Sequence, residues 1–166
     1  MYQDSLRILK GTNAGSTTQY AAVNLQTGNM TLNAGSIIMP TRPAFRVTGS
    51  TGYAPTSGTV ISGSSVYVDY NQGSYYNNTN GQFTCPLAGL YHVWYNGRTQ
   101  NASLASVTIY KNNSVVLAWW ESNTNTGHFG VSSVVNLAAN DVVTAKVSAG
   151  TVTFDGNDNW GVAYIG

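Results

Sequence analysis

The side chains able to do chemistry are few and scattered. His92 and His128 are the two histidines, Cys85 is the single cysteine, and six Asp/Glu are spread over 166 residues. Metal centres and nucleophile relays need such groups at short, fixed spacings. Neither histidine has a ligand-spaced partner. Cys85, between Thr84 and Pro86 and beside Phe83, reads as a buried small hydrophobe. Glu121 closes the Trp119-Trp120 segment without a second acid placed for glycoside hydrolysis. No catalytic residue is assigned, and the expectation is a protein that is not an enzyme. One oxygen-rich cluster stands out: Asp155-Gly156-Asn157-Asp158-Asn159. Asp155 and Asp158 could ligate calcium, the one cofactor considered; an Asx-rich turn before a last strand explains the same residues.

A second group suits recognition. Tyr70, Tyr75 and Tyr76 cluster around Asn71-Gln72-Gly73 and Asn77-Asn78, and Tyr53 adds to them. Such a Tyr/Asn/Gly mixture can stack on sugar rings or dock protein; an ordinary loop with its rings folded onto the core edge has the same composition. Only 8% of residues are charged and the net charge is +1, which gives no basic field for nucleic acid. Arg42, Arg46 and Arg98 make at most a small patch. No apolar run reaches the length of a membrane span, so membrane insertion is not expected. The opening Met1-Tyr2-Gln3-Asp4-Ser5-Leu6 lacks the basic and apolar regions of a leader.

Strands must position these residues. Apolar-rich segments recur between Gly, Asn and Pro, without helical periodicity. The pattern predicts ten: Ala44–Val47, Thr59–Ile61, Val66–Tyr70, Gln82–Cys85, Gly89–Gly97, Ala105–Tyr110, Ser114–Glu121, Gly127–Val135, Val142–Ser148 and Trp160–Ile165. Asn80-Gly81, Asn112-Asn113, Ala139-Asn140-Asp141 and Asp155-Gly156-Asn157 carry turn chemistry between them. Alternation puts Tyr91, Val93 and Tyr95 on one face and His92 and Trp94 on the other. Ala105, Val107 and Ile109 face inward, as do Val143, Ala145 and Val147. Val115–Trp120 is apolar on both faces, as a strand covered on both sides would be. In so small a chain the second cover is expected from another subunit. Residues 1–43 differ: the polar stretch Gly11–Thr18 and weak strand signals at Ala21–Leu25 and Met30–Leu32 precede Ile37-Ile38-Met39-Pro40 and Arg42-Pro43. They read as an arm or stalk and residues 44–166 as a globular head, although packing of both into one domain fits the composition as well.

The head resembles the C1q-like domain of the C1q/TNF superfamily. Pro43-Ala44-Phe45 matches the opening, and Tyr76-Asn77-Asn78-Thr79-Asn80-Gly81-Gln82-Phe83-Thr84-Cys85-Pro86-Leu87-Ala88-Gly89-Leu90-Tyr91-His92-Val93 matches the most specific run. Val107–Asn113 resembles a strand ending in an Asn-Gly turn, with Asn113 in the Gly place. Val135–Val143 resembles a Leu-x-x-Gly-Asp-x-Val segment, with Asn140 in the Gly place. Trp160–Ile165 resembles the last strand, with Trp160 where a small residue is usual. The resemblance implies an all-β, ten-stranded antiparallel jelly-roll sandwich, assembled as a homotrimer above a stem. No Gly-X-Y run supplies a collagen stem; residues 1–43 instead resemble the connectors of phage and bacterial fibre proteins.

The resulting expectation is a structural virion protein of a bacteriophage. It would be a trimeric capsid decoration, head fibre or tail fibre tip on the virion surface, held to a capsid or tail protein by its N-terminal arm. The short chain and its start favour a small stand-alone fibre or decoration. The head would meet a host cell-surface glycan or protein. The trimer seam is expected at Trp94 and at Val116, Ala118 and Trp120 or their alternating neighbours, since parity does not say which set faces the core, and recognition at Tyr53, Tyr70, Tyr75 and Tyr76. The alternative is a lectin-like or adhesion module of a cellular protein.

Overall fold

The computed structural model describes the backbone of residues 5–11, 17–24 and 30–32, and backbone with side chains of residues 42–99, 104–122 and 127–166. Two compact units are present, Met1–Met39 and Pro40–Gly166. In the first, β1 (Ser5–Gly11), β2 (Thr17–Asn24) and β3 (Met30–Leu32) form an antiparallel sheet in the order β1-β2-β3. The polar composition at Gly11, Thr17 and Thr18 thus belongs to strand ends, where backbone pairing outweighs weak propensity. The Ile37–Pro40 segment lies outside the described residues.

The second unit holds eleven strands among its described residues: β4 (Ala44–Gly49), β5 (Val66–Gln72), β6 (Tyr76–Asn77), β7 (Gln82–Thr84), β8 (Gly89–Thr99), β9 (Ala105–Lys111), β10 (Val115–Ser122), β11 (His128–Leu137), β12 (Val142–Ala149), β13 (Val152–Thr153) and β14 (Asn159–Tyr164). The expected count of ten is corrected at three places. Thr59–Ile61 makes only one bridge, Val60 to Lys146, because it meets β12 over a single register step between the left-handed Gly58 and Gly63. The two-residue strands β6 and β13 were too short to show alternation.

The sheets run β10-β9-β12-β7-β6 and β11-β8-β14-β4-β5, with β13 also on β8. All neighbours are antiparallel and, apart from the pairs β9-β10, β6-β7 and β4-β5, non-consecutive, so the chain crosses repeatedly between the two layers, as in a jelly roll. Inward side chains from both layers close the core: Phe45, Tyr91, Val93, Tyr95, Trp160 and Val162 from one, and Phe83, Val107, Ile109, Val143, Ala145 and Val147 from the other, all at 0% exposure. Phe45 stacks on Tyr76 at 4.1 Å and on Phe83 at 5.3 Å, and Trp160 meets Phe45 edge-on at 4.6 Å. A second aromatic file runs Trp120–Phe129–Tyr95–Phe154, with centroids 3.6, 5.6 and 5.4 Å apart. It ties edge strands β10 and β11 to the core.

Candidate functional site

Alternation along β8 decides what the six-stranded sheet shows outward. Tyr91, Val93 and Tyr95 are buried, so Leu90, His92, Trp94, Asn96 and Arg98 point away from the core. Directly opposite them on β11 stand Asn136, Val134, Ser132, Gly130 and His128. Opposite residues in an antiparallel pair share a face, so these five are outward too. On the other flank Ala163, Gly161 and Asn159 face His92, Trp94 and Asn96. Across β11, β8 and β14, from Asn136 to Asn96 and Asn159, this surface holds no Lys, Arg, Asp or Glu. It offers Val134 at 57% and Leu90 at 45% exposure.

Trp94 lies down on this face because Gly161 leaves room. A Cβ on Gly161 would stand 2.4 Å from Trp94 Cζ2. The indole Nε1 donates to Asn159 Oδ1 at 2.8 Å, and Asn96 Nδ2 donates to the same oxygen at 3.2 Å. His92 stacks on Trp94 at 5.3 Å. His92, Trp94, Asn96 and Ser132 line a shallow depression of about 340 Å³. Further across the sheet Arg46 pairs with Asp69 at 3.3 Å, and Thr48 Oγ1 donates to the same carboxylate.

The seam candidates are not brought together. Trp94 is on the outer face of the six-stranded sheet, Val116 on the outer side of the five-stranded one, at 54% exposure. Ala118 and Trp120 turn inward: Ala118 is 8% exposed in the chain's own core, and Trp120 stacks on Phe129. The cause is a bulge between Val116 and Ala118, where the register on β9 shifts. A bulge reverses the side of every later residue, so Trp119 takes the outward place, 55% exposed. Sequence alternation alone could not locate that shift.

The tyrosines divide likewise. Tyr76 is core rather than recognition surface: it is stacked on Phe45, donates to Ile61 O, and its hydroxyl is pushed far up by burial. Nonlocal contacts put it there, since Asn71 and Asn78 fix the surrounding backbone through Tyr76 O, Gly63 O and Val66 O. Tyr75 is half-buried. Tyr53 meets Phe154 edge-on at 6.4 Å, and burial raises its hydroxyl. Tyr70 alone of the four keeps an open ring, 44% exposed on edge strand β5 opposite Arg46. Tyr67 beside it is more exposed still.

Asp155 and Asp158 meet a guanidinium. Arg98 Nη2 pairs with Asp155 and lies 3.2 Å from Asp158 Oδ2. Asp158 is buried, and its Oδ2 also accepts from Asp155 N at 2.8 Å. The Asn157 amide, helped by Arg98, outweighs the opposing effect of burial and holds the Asp155 carboxyl below its usual value. The cluster is thus an Asx turn clamped by arginine, with the cation role already filled. No group of three or more His, Cys, Asp or Glu is placed to hold a metal among the described residues.

Nucleophilic chemistry finds no better footing there. Cys85 is fully buried and its thiol is pushed up to about 12, first by burial and then by Asp141. A thiol so raised is not a nucleophile at neutral pH. His92 and His128 sit six places apart on the rows of β8, facing Val134 and Arg98, about 20 Å along the strand. Glu121 is on the other sheet.

The comparisons agree with this architecture. The globular domain of zebrafish complement 1qA superposes with a TM-score of 0.58 at 16% identity, covering 75% of this chain and 98% of that one. Murine APRIL gives 0.56 at 10% identity, over 75% and 99%. The Eiger TNF of S. frugiperda gives 0.51 at 14%, over 75% and 94%. At these identities the likeness is one of fold. No curated protein sequence matches. The C1q domain profile matches residues 44–162, which run from the first strand of the second unit into β14. The chain belongs to the C1q domain family.

Proposed function

We propose that this chain is a homotrimeric attachment module: a structural protein of a bacteriophage virion whose residues 1–43 hold it to a capsid or tail protein and whose head meets the host surface. The observation that carries assembly is the outer face of β11, β8 and β14 from Asn136 to Asn96 and Asn159, which lacks Lys, Arg, Asp and Glu and sets Leu90, His92, Trp94 and Val134 in adjoining rows. Burial against a neighbouring copy favours such a face, since apolar groups, and neutral polar groups that regain hydrogen bonds, cost less to desolvate than charges. Closure also limits the choice. Trp94 and Val116 lie on different sheets, so the seam is proposed on the Trp94 side, meeting a different patch of the next copy as a three-fold ring requires. Three heads on one stem multiply weak contacts. The virion reading draws on the low charge and on the separate antiparallel unit at Met1–Met39.

Val134→Arg tests the seam, and light scattering should then show single chains where the wild type shows assemblies. Antibodies raised against residues 44–166 should decorate purified virions. Particles left bare, with the same antibodies labelling cells, would favour the second reading, a lectin-like adhesion module. Trp119 is the observation that keeps that reading in play.

A further inference from the structure

The outer face of the five-stranded sheet is built differently from the proposed seam. Trp119 stands 55% exposed there, yet its indole Nε1 donates to Ser106 Oγ at 3.1 Å. The N–H is thereby satisfied and the ring fixed, leaving an indole surface to offer. Ser106 and Thr108, both buried, form a floor of small side chains beside it, and Thr108 shares a 2.7 Å hydrogen bond with Ser148. Thr108 is opposite Trp119 on one side and Lys146 on the other. Lys146 is thus two strands from Trp119 in the same row, about 10 Å away. Glu121 lies two places along β10, about 7 Å on the same face. Neither Glu121 nor Lys146 has an ion-pair partner among the described residues.

We propose that Trp119, Glu121 and Lys146 form a glycan site, with a pyranose ring stacked on the indole and its hydroxyls bonded by the carboxylate and the ammonium. An apolar partner would leave Glu121 and Lys146 unsatisfied at the contact, at a cost. A sugar satisfies all three groups at once: its C–H face covers the ring, its hydroxyls donate to the carboxylate and accept from the ammonium. The occupant is thus a neutral, hydroxyl-rich glycan. This site rests on the attachment reading but occupies the opposite face from the seam, so the two are separable by experiment.

The full chain, with ¹⁵N in its tryptophan indoles, is titrated with cellotetraose, maltotetraose and chitotetraose. The Trp119 N–H resonance should shift saturably with at least one of them. Trp119→Ala and Glu121→Gln should each weaken that binding, the first by roughly tenfold, with the assembled mass unchanged. Trp119→Phe, which keeps a ring, should retain part of it. No Trp119 shift with any of the three sugars overturns the site, as does a shift confined to Trp94. Loss of assembly in Trp119→Ala also overturns it, by assigning this face to a second copy. Saturable binding by a chain that stays single would uphold the site and sink the trimer.

Discussion

Asparagine at a left-handed backbone position is tolerated where most side chains are not, and three turn residues of the head rely on it. Asn112 and Asn113 have φ of 52° and 56°, and Asn140 has 69°. Asn113 and Asn140 are the two places where the family resemblance expects Gly, so the departures keep the conformation that Gly would supply. Asn112 and Asn113 are the central residues of the turn from β9 to β10, closed by Ser114 N donating to Lys111 O at 3.1 Å. Positive φ at both central residues suits the twist of a hairpin. Asn113→Val should therefore cost about 1–2 kcal/mol in denaturant unfolding, while Asn113→Gly should cost nothing measurable. Trp160 is the contrasting case, set by packing. Trp160→Ala should lose about 3–5 kcal/mol, since the ring is fully buried against Phe45 and Tyr76.

At the scale of elements, polar pins hold the strand ends. Asp141 accepts from Ala138 N and from Asn112 Nδ2, each at 2.8 Å, and pairs with Lys111 at 3.6 Å. Burial pushes its carboxyl up, but these partners together prevail and hold it below its ordinary value. A carboxyl lowered on folding stabilises the fold above its unfolded pKa, about 3.9. That contribution disappears as pH falls through the lowered value. Denaturant midpoints should thus decline below about pH 4, and Asp141→Asn should flatten part of the decline. An unchanged acid profile in that variant would take Asp141 out of the pin. The β8 and β12 faces were legible in the sequence because uninterrupted alternation reports burial directly. On β11, Phe129, Val131, Val135 and Leu137 mark the inner side by the same rule, so Val134 as an outward residue could have been found. The β10 face was not legible, because the bulge at Leu117 changes side without changing composition. Tyr76 was hidden by its Asn-rich neighbours, whose hydrogen bonds reach residues twelve to fifteen positions away. Gly161 had no local signal either: a Cβ there would meet both Phe45 O and the Trp94 indole at 2.4 Å, and both neighbours come from other strands. Gly161→Ala should lift Trp94, seen as loss of protection of its indole N–H from hydrogen exchange.

For the whole molecule, a jelly roll of this size encloses one core and leaves two outer faces with separate character. One, around Trp94, meets charge only at its margins, at Arg46 and Arg98, and is the face proposed for a neighbouring copy. The other is a fixed indole between an acid and an amine, suited to a sugar. On the proposed reading, cohesion and recognition fall on opposite sides of the same sandwich, so neither has to compromise the other. The reading of the Trp94 face depends on assembly, and the mass of the purified wild-type chain in solution tests it most directly. Light scattering across a wide concentration range should give three times the 17.6 kDa of one chain. A mass of 17.6 kDa that persists to the highest concentration would contradict the trimer and return the Trp94 face to solvent.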